Sequence, residues 1–160
     1  MPDCSLERLQ AEDVYEASPA SLGEELKELF RHRNRCDAEI QRRLLRLDKT
    51  EAYAADGSMT AKAWLRWNCN LTHGQASDRV EVARQMQSLP VTTQALAEGG
   101  ISYQHAALIA RTAQRLGSLW PADAEQILVT AAKEVDPVRL RCATMQLRHC
   151  LEPEIGRAHV

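Results

Sequence analysis

Apolar residues recur along this chain at steps of three and four, and the interruptions fall at Gly, Pro, Ser, Thr and Asp. That period places side chains on one face of an α-helix, while the interrupting residues are those that cap helices and make turns. Leu22, Leu26, Leu29, Cys36, Ile40, Leu44, Leu47 and Ala54 form one such stripe, broken only by Arg33 and Glu51. It predicts a long first helix from a capping box at Ser21 and Glu24 to about Tyr53, stopped by Asp56-Gly57-Ser58. At 1.5 Å per residue such a helix is roughly 50 Å long. A short helix from Thr60 to Asn68 follows, with Trp64 and Trp67 as its expected anchors in the core.

Thr72 and Gln75 form a second capping box, opening a helix to Gln87 with Ala76, Val80 and Ala83 inside, widened by Val82 and Met86. Ser77, Asp78, Glu81, Arg84 and Gln85 are expected on its outer face. Leu89-Pro90 breaks the chain, a helix runs to Leu96, and Gly99-Gly100-Ile101-Ser102 turns into the next. Gly100-Ile101-Ser102 and Ala106 repeat the places of Asn70-Leu71-Thr72 and Ala76, thirty residues earlier. After Gly117-Ser118, Trp120-Pro121 opens a helix with Ala124, Ile127, Leu128, Ala131 and Val135 inside. Asp136-Pro137 then starts a last one carrying Leu140, Thr144, Leu147 and Leu151, with Arg139, Arg141 and Arg148 outside. The expected fold is all-α: a single multi-helix domain with one long N-terminal helix and several short helices, including helix-turn-helix-like pairs. Its expected limits are residues 21–153, after an acidic, loosely ordered or partly helical tail over 1–20 and before a patternless end over 154–160.

Composition agrees with helix packing, since 44% of the residues are hydrophobic and only 4% aromatic. A net charge of −2 argues against a strongly basic nucleic-acid binder, though not against a local basic face. Five cysteines, with no closely spaced pair of metal-ligand type, read as free thiols in the cytoplasm. The start has no secretory pattern, and no apolar run approaches the ~20 residues of a membrane span.

Three features invite a functional reading. Arg31, Arg35, Arg42 and Arg46 share a face of the long helix, but Glu24, Glu28 and Glu39 share it too, so a solvated, salt-bridged face is preferred. In the first helix-turn-helix outline Asp78 and Glu81 would face phosphates, which makes that pair a poor DNA reader. The second outline is better: from Ile101 to Trp120 there is no acidic residue, and Gln104, Arg111 and Arg115 share an outer face suited to bases and phosphates. Against this, Ala107 and Leu108 lie on the same face, and burial of the helix as the central member of a bundle is the preferred reading. His73 and His105, each just after a cap residue, are expected to have structural or surface roles. No catalytic, cofactor-binding or metal-binding constellation is found.

The order and spacing of Ala55-Asp56-Gly57, Ala63-Trp64-Leu65, Leu71-Thr72, Gln75-Ala76, Arg79-Val80, Leu89-Pro90, Ala95-Leu96-Ala97-Glu98-Gly99, Ile101-Ser102, His105-Ala106 and Ile109-Ala110 resemble the actinobacterial domain-of-unknown-function family 222, also called the 13E12-repeat family. Val135-Asp136-Pro137 and Leu151-Glu152-Pro153 resemble its following helices, so the resemblance runs from about Leu22 to Pro153. It implies the helical N-terminal part of proteins that carry an HNH endonuclease segment. His32, His73, His105, His149 and His159 form no His-Asn-His pattern, so no catalytic residue carries over, and the last seven residues read as the end of a truncated gene or an assembly artefact, the chain then being a fragment. The expectation is a non-catalytic, DNA-associated accessory domain that positions or regulates a nuclease. The alternative is a protein-interaction or self-association module that pairs with a second copy through the long helix.

Overall fold

The computed structural model describes residues 4–152, and the helices in that range are α1 (Cys4–Ala11), α2 (Pro19–Lys49), α3 (Ala61–Cys69), α4 (His73–Met86), α5 (Pro90–Ala97), α6 (Tyr103–Leu116), α7 (Ala124–Ala132) and α8 (Pro137–Leu151). The all-α expectation holds. The chain divides into two compact units, one up to Phe30 and one from Arg31 onward.

In the first unit, α1 is followed by a short 3-10 turn, Val14–Glu16, where Asp13 Oδ1 accepts from the Tyr15 backbone N–H at 3.0 Å. α2 opens earlier than the expected Ser21–Glu24 box. Its cap is Ser18, whose Oγ accepts from Ser21 N–H at 3.1 Å, with Pro19 in the first turn, where a missing N–H costs nothing. Ser21 instead donates its hydroxyl to Glu25, and Glu24 pairs with Lys27.

In the second unit, α2 ends at Lys49, before the expected Tyr53, because Glu51 takes a left-handed conformation (φ 54°) and a 3-10 turn runs to Gly57. The expected stripe on this helix is corrected. Leu44 is buried and Leu47 half-buried, but Cys36 and Ile40 are exposed, and the buried face is Asp37, Ala38, Gln41 and Leu44. Polar residues can turn inward there because α4 supplies their partners: Arg79 reaches Asp37 at 2.7 Å, Gln41 donates to the Arg79 carbonyl at 3.0 Å, and Arg84 holds Asp48 through two hydrogen bonds at 2.7 and 3.0 Å. Buried polar groups with partners cost far less than hydrophobicity alone suggests.

α6 is the central helix, packed against α4, α5, α7 and α8. Ala106, Ala107 and Ile109 are fully buried on it, and Ala76 on α4; small side chains let the helix backbones approach closely. A second apolar cluster joins Leu44 of α2, Ala61 and Leu65 of α3, and Ala76, Val80 and Ala83 of α4. Thr60 caps α3, where Leu65 is buried and Trp64 donates its indole N–H to Asp56 at 2.7 Å. Trp67, expected to anchor α3, is 80% exposed: it falls on the face opposite Leu65. α7 starts at Ala124 rather than at Pro121, and Ile127, expected inside, is exposed. Its Glu125 accepts from the Thr92 N–H at 2.7 Å, supplying the uncapped first turn of α5 with a carboxylate from another helix. α8 has the expected Asp136 cap and buries Leu140 and Thr144, with Leu147 and Leu151 half-buried. Pro153 and the patternless end lie outside the described residues.

Candidate nucleic-acid interface

The start of α6 sets the geometry of this region. Ser102 Oγ accepts from the His105 backbone N–H at 3.3 Å, and His105 Nδ1 accepts from the Ser102 backbone N–H at 3.1 Å, closing a capping box with a histidine where Glu or Gln is usual. Nδ1 as acceptor leaves the proton on Nε2, which donates to the Val135 carbonyl at 2.8 Å. His105 is buried, bonded to backbone at both ring nitrogens, and ties the start of α6 to the residue before the α8 cap. His73 is exposed.

From this fixed start, α6 turns Gln104, Arg111 and Arg115 to solvent and leaves Leu108 half-buried, while Ala107 is buried. The burial reading thus describes most of the helix and fails for one strip of it. That strip, spaced four, three, four, is one wall of a groove of about 600 Å³. The other wall is α8, through Val138, Arg141, Met145 and Arg148. Arg141 and Arg148, expected merely outside, face the same groove as Arg111 and Arg115; their three-four-three spacing with Val138 and Met145 was the available signal.

Acidic residues from other elements reach the two arginines of α6, which sequence spacing on α6 could not reveal. Arg111 pairs with Asp78 of α4 at 3.3 Å, and Arg115 and Arg148 both pair with Glu152 at 3.4 Å. Asp78 is itself held by the Tyr103 hydroxyl, which donates to it at 2.9 Å. Burial, then the hydrogen bond to Asp78, raises the Tyr103 pKa above its ordinary value, so the hydroxyl remains a donor at neutral pH. The Arg79 guanidinium lies 3.7 Å from the Tyr103 ring centroid and pairs with buried Asp37. A continuous polar chain therefore runs from α2 through α4 to Arg111 at the groove.

On α2 the expected Glu39–Arg42 pair forms at 3.0 Å, and Glu39 also binds Arg43. Among the described residues no group of three or more His, Cys, Asp or Glu is placed to hold a metal ion. No described helix is long and apolar enough to cross a membrane.

The model of the family described as Domain of unknown function (DUF222) matches residues 23–160. No curated protein and no solved structure matches the chain.

Proposed function

The chain belongs to the DUF222 family, and from that premise we propose a non-catalytic helical module that contacts DNA through the α6–α8 groove and positions the nuclease segment of an HNH endonuclease-type protein in the cytoplasm. One observation supports the DNA contact: two helices bring four arginines and Gln104 to a single groove. Arginine offers several N–H donors in a planar fork suited to phosphate oxygens, and displaced counterions favour such contacts at low salt. The exposed Val138 and Met145, which line the same groove as the arginines, suit the apolar faces of deoxyribose and the thymine methyl group.

Fluorescence anisotropy on a labelled duplex at two salt concentrations tests this. Replacing Arg111 and Arg115 with Ala weakens binding and lowers the salt slope by about 2, while replacing the Glu39-bound Arg42 and Arg43 leaves both unchanged. No binding by the intact chain at low salt overturns the reading. A second reading, a self-association module, has its own observation: the first unit exposes Leu26, Leu29 and Phe30 on its part of α2. Sedimentation of the chain as a monomer at high concentration removes it.

A further inference from the structure

Glu152 caps the C-terminal end of α8 and sets Oε1 3.4 Å from Arg115 Nε on α6 and 3.4 Å from Arg148 Nε on its own helix. A single carboxylate oxygen thus bridges two guanidinium groups that belong to opposite walls of the groove. The Arg148 side chain is only 25% exposed and lines the groove. Both contacts are longer than the roughly 2.7–2.9 Å of strong charge-assisted hydrogen bonds. Long, partly exposed ion pairs of this kind contribute little stability, so a more highly charged oxyanion can replace the carboxylate. Guanidinium groups accept carboxylate and phosphate oxygens in the same way.

We propose that Arg115 and Arg148 form an oxyanion subsite for a phosphate group, filled in the ligand-free protein by the chain's own Glu152. Assigning that phosphate to a DNA backbone rests on the groove reading above; the subsite itself does not. Phosphate enters as Glu152 swings out, and the exchange couples the end of α8 to occupancy of the groove. Binding at this position therefore carries the cost of breaking the internal pair, which sets a ceiling on affinity that a neutral side chain removes.

The test compares the intact chain with Glu152→Gln, which keeps the side chain's shape, and with Glu134→Gln, which removes an equal charge on an exposed residue outside the groove. Two probes are used: a labelled duplex in anisotropy, and inorganic tripolyphosphate in thermal melts. The expected result is that Glu152→Gln binds duplex about three-fold more tightly, the worth of one exposed ion pair. Its melting temperature also rises more with tripolyphosphate, Glu134→Gln gains less on both probes, and the gain disappears in an Arg148→Ala background. If Glu152→Gln gains no more than Glu134→Gln while Arg111→Ala still weakens duplex binding, the subsite is overturned and the groove reading survives. If duplex binds neither protein but the Arg148-dependent tripolyphosphate gain is present, the subsite stands and DNA is not its source. Absence of response to both probes overturns both.

Discussion

Asp48 and Arg84 illustrate how single side chains decide the packing of α2 on α4. Two hydrogen bonds from Arg84 are the main reason that the Asp48 carboxyl is held below the ordinary carboxylate range, against the opposing effect of its burial. A pKa lowered by folding contributes stability above the unfolded value of about 3.9, and that contribution is lost as pH falls through the folded value. Asp48→Asn is therefore expected to cost about 1 kcal/mol at neutral pH, and urea melts of the two proteins should converge on acidification below about pH 4. Tyr103 has the opposite sign. Its pKa is raised by burial and by Asp78, so it stabilises the fold below the unfolded value of about 10 and loses that contribution at higher pH. Phenolate absorbance in the folded chain should contain a late phase above that value, absent from Tyr103→Phe.

Two adjacent helices, α4 and α6, are built alike. Each has 14 residues, a Thr or Ser cap, a side chain three residues on that returns to the cap backbone, and an alanine next along that is fully buried. In α4 the returning side chain is Gln75; in α6 it is His105, which also reaches Val135. His105→Gln should keep the cap and lose the Val135 link, costing about 1 kcal/mol, whereas His105→Ala loses both and should cost about 2–3 kcal/mol in denaturant melts. Equal costs would show that only one of the two bonds matters. The turn before α6 is constrained differently. Gly99 has φ 79°, and a Cβ there would lie 2.5 Å from Arg31 Cγ and 2.9 Å from the Arg31 carbonyl oxygen, so only glycine fits where α2 passes.

Burial is unevenly distributed along the chain: every buried residue among those described lies at or after Asp37. The apolar free energy of folding, roughly 25 cal/mol per Å² removed from water, is thus concentrated in the second unit. A chain beginning at Arg31 should keep a cooperative thermal transition within a few degrees of the intact one; non-cooperative melting would contradict this. Charge is divided as well. Residues up to Phe30 carry eight acidic and two basic side chains, and the remainder carries fourteen acidic and eighteen basic, so the small net charge conceals a basic second unit.

The caps at Thr60, Thr72 with Gln75, Ser102, and Asp136 with Pro137 were legible because each is written within three or four residues, whereas Ser21 with Glu24 and Trp120 with Pro121 do not mark where α2 and α7 begin. The all-α class followed from the same short-range rules. The buried face of α2 was not legible, because Asp37 and Asp48 turn inward only when Arg79 and Arg84 arrive 42 and 36 residues later. Gln104, Arg111 and Arg115 could be placed together on one side of α6 from spacing alone. Their joining with Arg141 and Arg148 in one groove, and their meeting Asp78 and Glu152, depended on how α4, α6 and α8 pack. Helical period assigns a side chain to a face; which charges meet across that face is decided by non-local packing, in which polar pairs become favourable only once both partners are in place.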